Sequence, residues 1–219
     1  PGESLFSITD KPFETPLGTV ETDTELASEL AERFPVDLKA DEYLHKHEHS
    51  IEFQVVFLQH LYQKIARERG EDAVPEFKIL PILVSSFNRF FESNTIPSTD
   101  ESIQTFTGIL QDVLANSDKQ VCFVAGADLS HMGRRFGDDR DLDEDFIKET
   151  EDWDREMLNH LAQGDLESFF RHVQVNGDQQ KVCGFGPIYM MLNLLGRELP
   201  GQVLDYDMNV EENTQSFVT

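Results

Sequence analysis

Cysteine is nearly absent from this sequence: Cys122 and Cys183 are the only two in 219 residues. That excludes a disulfide scaffold and a four-cysteine zinc site. No apolar run approaches the ~18 residues that a membrane-spanning helix needs. No signal peptide is visible, so the reading is of a cytoplasmic chain. Positive charge is also scarce, with 18 Lys and Arg against 42 Asp and Glu, a net charge of −24. Such a surface repels phosphate backbones and anionic headgroups, which argues against nucleic acid and membrane partners. No internal repeat and no Gly/Ser- or Pro-rich linker divides the chain, so residues 1–219 read as a single domain. What the sequence does have is 17 Phe, enough to build a core; Phe is among the residues most often buried.

The pattern is that of an α/β fold, a central, mostly buried sheet flanked by helices. Leu5 to Ile8 reads as an edge strand. Asp23 is placed to cap a helix running to Phe34, with Leu26, Leu30 and Phe34 on one face. Residues 51–67 form an amphipathic helix carrying Ile51, Val55, Leu58 and Ile65, with Ser50 as its N-cap. Residues 77–84 (FKILPILV) read as a strand buried on both faces, with Pro81 limiting its ladder. A second amphipathic helix spans about 99–114, and residues 120–125 (QVCFVA) read as a second buried strand. A helix starts inside the acidic stretch 137–152 and runs through Trp153, Met157 and Leu161. A short helix opens at Gly164-Asp165, and another follows Cys183. Residues 203–206 (VLDY) read as a strand, and residues 216–219 as the middle of one. With no Met at position 1, the chain reads as truncated at both ends.

Three clusters could carry chemistry. His45, His47 and His49 recur at every second position, which would put them on one side of an extended strand. A solvated polar loop before a helix accounts for them equally well. Ala127-Asp128-Leu129-Ser130-His131 follows an apolar strand, and open α/β sheets bind ligands beyond the carboxyl ends of their strands. Asp128 could orient an imidazole and His131 could move protons near neutral pH; the plain alternative is a helix-capping Asp beside an incidental His. Cys183-Gly184-Phe185-Gly186-Pro187 puts a thiol at a helix start, where the macrodipole favours thiolate and a depressed pKa. A small buried apolar Cys is the alternative, and Cys122 is read that way.

Four separated segments together resemble the Memo family, also known as AmmeMemoRadiSam system protein B. They are Glu48-His49-Ser50-Ile51-Glu52-Phe53-Gln54, then Ile79 to Val84, then Ala127 to Phe136, then Cys183 to Ile188, and the tail Leu204-Asp205-Tyr206 also fits. Order and spacing agree over nearly the whole chain. That family is similar to the catalytic subunit of class III extradiol ring-cleavage dioxygenases.

The resemblance implies a metal pocket holding iron or copper, with His49 and Cys183 as metal ligands and His131 as the acid/base residue, Asp128 beside it. The family's first ligand His belongs to an upstream Gly-Pro-Ser/Asn-His-His segment that has no counterpart here, so the expectation is an N-terminal strand missing from this chain and weak or absent metal. Some members carry His where Gly186 stands. Thiolate with imidazole suits iron, copper or zinc. Three functions follow as expectations. One is a non-haem metal-dependent oxidoreductase acting on a small organic substrate. Another is a metal-binding or interaction protein that kept the fold without turnover. The third is a partner protein in a pathway that includes a radical-SAM enzyme.

Overall fold

Asp23 accepts a hydrogen bond from the Leu26 amide and caps helix α1 (Thr24–Arg33). Its carboxylate also meets Lys119 Nζ at 2.8 Å. The structure, a computed structural model, describes residues 4–70, 72, 74, 76–196 and 200–219. Its backbone falls into two compact units, residues 1–85 with 108–126 and residues 86–107 with 127–219.

In the first unit, strand β1 (Phe6–Ile8) pairs antiparallel with β4 (Ile82–Val84), Phe6 opposite Val84. Strands β2 (Phe13–Thr15) and β3 (Gly18–Val20) form a hairpin. Helix α2 (Ser50–Arg69) holds that hairpin through the buried Gln59: the Thr15 hydroxyl donates to its Oε1 at 2.5 Å, and its Nε2 donates to the Gly18 carbonyl at 3.0 Å. Helix α1 buries Leu26, Ala27 and Leu30, and Phe34 beyond it meets Phe6 edge-on at 6.3 Å. Helix α4 (Glu101–Ala115) begins in the second unit and ends in the first.

The second unit carries α3 (Asn88–Ser93), β5 (His131–Gly133), α5 (Glu144–Ala162), α6 (Leu166–Gln174), α7 (Phe185–Leu195), β6 (Asn209–Glu211) and β7 (Ser216–Val218). Strand β7 lies between β5 and β6, antiparallel to both. Asp143 and Asp165 cap α5 and α6 through their carboxylates. Phe185, the first residue of α7, packs its ring against Phe87, Phe91, Phe169, Phe170 and Tyr189. That cluster is where many of the Phe residues go.

The expected helices are present, with α2 starting one residue early: His49, not Ser50, is the N-cap, and the Glu48 carboxylate accepts from the His49 and Ser50 amides at 2.8 and 3.1 Å. Helix α2 is also less one-sided than its pattern implies. Only Val55 and Gln59 are buried, while Phe53, Phe57 and Leu61 are exposed along a second stripe.

The single central sheet is not found; among the described residues the strands form two pairs and one three-stranded sheet. Residues 77–84 shorten to β4, half-buried, because Pro81 has no N–H to give a ladder, and Ile79 keeps only an isolated parallel bridge to Thr22. Residues 120–126 are not a strand: Val121, Cys122 and Val124 are exposed, and no described strand pairs with the segment. An extended segment without a neighbour has no ladder to satisfy its backbone. Residues 203–206 are not a strand either. The Asp205 and Asp207 carboxylates take the Tyr206 and Met208 amides, both at 2.9 Å, donors that a ladder would have needed.

The alternating histidines do not line a strand. His45 lies in a 3-10 turn (Glu42–Lys46), His47 just after it and His49 at the head of α2. Only His45 is buried. Its Nε2–H donates to the Ser7 carbonyl at 3.2 Å, while its Nδ1 and the Ser7 hydroxyl have no partner among the described residues. Burial lowers its pKa from the ordinary 6.5. The unfolded chain then binds a proton that the folded chain resists, so stability falls as pH drops through and below about 6.5. Urea denaturation at pH 7 and pH 5 should give a lower midpoint at pH 5, and His45→Gln should flatten that difference; an unchanged difference in the variant would remove His45 as the cause.

Candidate functional site

Three of the four residues singled out in the sequence meet in the second unit. One donor atom each from Asp128, His131 and Cys183 lies within 4.8 Å of the other two. His131 opens β5, paired opposite Val218 of β7, and its amide donates to the Gln180 carbonyl at 2.7 Å. Its ring stands edge-on to Phe136 at 5.1 Å. Its Nδ1 sits 3.2 Å from the Leu129 carbonyl. A carbonyl only accepts, so Nδ1 carries the hydrogen and Nε2 keeps the lone pair of the neutral ring. That Nε2 faces the Asp128 carboxylate at 3.8 Å. The two side chains are therefore brought side by side, as the three-residue spacing implied, although residues 127–130 are not helical.

Cys183 is exposed, not a buried apolar residue, and precedes α7, whose N-cap is Gly184. The Gly184 amide donates to the Asp128 carbonyl at 3.0 Å. A Cβ on Gly184 would stand 2.4 Å from that carbonyl oxygen and 2.5 Å from Ala127 Cβ. Only glycine lets the two segments approach this closely. Phe185 fixes the same junction from the core side.

What holds the His131 strand is an element that composition and motif did not single out. Asp154, fully buried on α5, accepts from the Ser130 hydroxyl at 2.5 Å, from Thr219 Oγ1 at 2.6 Å and from the Tyr206 hydroxyl at 2.9 Å. Burial raises its pKa, outweighing those three donors, and burial together with the Asp154 charge raises that of Tyr206. Ser130 is next to His131 in the chain, and its amide donates to Thr219 Oγ1 at 2.9 Å. The strand-end crevice expected after residues 120–125 is thus replaced by a loop clamped to β7 and α5.

His49 stands in the first unit, exposed, with its ring 6.1 Å from Phe53. In that unit the Ser50 carbonyl would lie 2.7 Å from a Cβ on Gly126, so residue 126 runs close against the head of α2. His47 is exposed and His45 turns inward to Ser7. Cys122 is exposed, which corrects its reading as a core residue. Among the described residues no helix is long and apolar enough to cross a membrane. A second group, Glu156, His160 and His172, went unnoticed in the sequence. Its only signal there was a Glu and a His four residues apart on one helix.

Fold and site together define a mixed α/β protein with a thiol, an imidazole and a carboxylate gathered beside a helix start. A family model described as Memo-like protein matches residues 2–219, and the chain belongs to the Memo family. A MEMO1 family protein of Aquifex aeolicus is 31% identical over 219 residues, covering 99% of this chain and 50% of that protein. One from Methanosarcina mazei is 26% identical over 189 residues, covering 86% of this chain and 56% of its own length. The chain spans about half the length of these curated relatives.

Proposed function

We propose that this chain contributes to a mononuclear iron or copper site and that the protein is a metal-dependent oxidoreductase acting on a small organic molecule, with dioxygen as oxidant. The observation that carries this reading is the convergence of Asp128, His131 and Cys183 within 4.8 Å. Sulfur and imidazole nitrogen are donors that iron and copper accept, and the exposed Cys183 and Asp128 side chains have room to adjust. In this reading Cys183 and, by its motif, His49 are metal ligands, while His131 and Asp128 handle protons. The bound metal would supply redox chemistry and Lewis acidity. His131 Nε2 takes a proton from a substrate hydroxyl, and the Asp128 carboxylate 3.8 Å away stabilises the imidazolium that results. The Leu129 carbonyl holds the ring in the tautomer that makes Nε2 the base.

Anaerobic loading with Fe(II) or Cu(I), followed by metal analysis and absorption spectroscopy, tests the ligand assignment. Cys183→Ser should abolish the sulfur-to-metal charge-transfer band and weaken binding by about 10-fold or more. His49→Ala should weaken binding similarly. His131→Ala should keep the metal and slow dioxygen uptake by about 10²–10⁴-fold. Loss of the metal in His131→Ala would make His131 a ligand.

A second reading, a metal-binding interaction protein without turnover, is favoured by the exposed stripe Phe53, Phe57 and Leu61 on α2. Exposed apolar rows of this kind mark contact surfaces. Stoichiometric metal without dioxygen uptake would support it over the enzyme.

A further inference from the structure

The C-terminal parts of α5 and α6 carry a second group of donors that the Memo-type site does not use. Glu156 and His160 are four residues apart on α5 and therefore share a face. His172, in the last turn of α6, meets them: one donor atom from each of the three lies within 4.8 Å of the others. The two imidazole rings are 5.6 Å apart. Two histidines and one carboxylate are the donor set of an open zinc site, which keeps a fourth position for water.

The surroundings prepare His172 for this. Its Nε2–H donates to the Trp153 carbonyl at 3.0 Å, leaving Nδ1 as the electron-pair donor of the neutral ring. A carbonyl behind an imidazole is the partner that orients metal-binding histidines. The Trp153 ring lies against the His172 ring at 4.4 Å and limits its rotation. The end of α5 is fixed as well, because the His160 carbonyl accepts from the Asp165 amide at 3.0 Å. His160 is partly buried and Glu156 is exposed, so an ion can enter from solvent.

We propose that Glu156, His160 and His172 form a second metal site, distinct from Asp128, His131 and Cys183, which binds zinc and clamps α5 to α6. Imidazole nitrogen excludes magnesium and calcium, which prefer all-oxygen shells. The site has no sulfur, so it does not share the softness or the redox sensitivity of the Cys183 site. Its consequence is structural: α5 carries Asp154, and a clamp on that helix stiffens the element to which the His131 strand is tied.

The test uses the full chain with His49→Ala, His131→Ala and Cys183→Ser, which removes both ligands proposed for the first site and the imidazole beside them. Zinc is titrated against a chromophoric chelator, and the melting midpoint is read with and without zinc. This background should bind one zinc, and zinc should raise its midpoint. Adding His160→Ala should weaken zinc at least tenfold and abolish the midpoint rise. Glu156→Gln, an exposed change that leaves the fold intact, should weaken zinc in the same direction. Absence of zinc binding in the background protein, or an affinity unmoved by both His160→Ala and Glu156→Gln, overturns the proposal. Either result leaves the Cys183 reading untouched, since its test reads a sulfur charge-transfer band in the unaltered protein.

Discussion

Alanine at Gly184 should lower the melting midpoint by roughly 2–12 °C and release the metal that Cys183 is proposed to bind. The cause is steric. Gly184 has a φ of −75°, which any residue adopts, so backbone strain is not involved. The added Cβ would stand 2.4 Å from the Asp128 carbonyl oxygen and 2.5 Å from Ala127 Cβ, where ordinary contacts are about 3.4–4 Å. Neither neighbour can step aside: one is backbone, and the other is a methyl fixed directly to it. The Gly184 amide also donates to that carbonyl, so relief requires the segments to separate and the bond to stretch. Overpacking of this kind costs about 1–3 kcal/mol, and each kcal/mol moves the midpoint of a chain of this size by about 2–4 °C. The separation would pull Cys183 away from Asp128 and His131, so metal content should fall along with the midpoint. Gly108→Ala is the control. It lies inside α4 with nothing within 4 Å of its added methyl, and alanine there should stabilise by about 0.5–1 kcal/mol. Equal midpoints for the two variants would show that the Gly184 contact is slack.

The same junction explains why parts of the site were legible in the sequence. Cys183-Gly184-Phe185 is a local motif: thiol, small residue and aromatic are adjacent, and the helix start follows from Pro187 and the apolar run. Asp128 and His131 were legible for the same reason, being three residues apart. The helices were legible because caps and periodic faces are local too: Asp23 and Asp165 each accept an amide three residues on. Strands are not local. Residues 120–126 have the composition of a buried strand, but a strand exists only through its neighbour, and composition does not say whether one is there. Residues 203–206 failed differently, since two aspartates beside the apolar residues capture backbone amides that composition alone would assign to a ladder. Asp154 was invisible because its partners Ser130, Tyr206 and Thr219 lie 24, 52 and 65 residues away. An aspartate on an acidic helix reads as solvated until those hydroxyls are placed around it. The Glu156 group has the same character, with His172 on the next helix.

Removing that aspartate should therefore cost more than its sequence context implies. Asp154→Ala should destabilise the protein by about 3 kcal/mol or more, because the buried Ser130 hydroxyl and the partly buried Tyr206 and Thr219 hydroxyls lose their acceptor at once. At about 2–4 °C per kcal/mol, the midpoint should drop by roughly 6–12 °C. The damage should reach the site as well: Ser130 would lose its side-chain anchor, Thr219 would lose its own, and His131 would follow Ser130. The pH dependence separates this from a simple loss of packing. Burial raises the Asp154 pKa above its ordinary 3.8, so between 3.8 and the raised value the folded chain holds a proton that the unfolded chain has released. By linkage, stability declines as pH rises through that window. Asp154→Asn has nearly the same volume but cannot ionise, and its amide cannot accept from all three hydroxyls. It should be less stable than the parent at pH 7 and should lack this part of the acid-side slope. Urea midpoints of parent, Asp154→Asn and Asp154→Ala between pH 4 and pH 8 give the comparison. If the parent and Asp154→Asn curves run parallel across that range, Asp154 does not titrate in the folded protein, and the three hydroxyls hold an ordinary carboxylate.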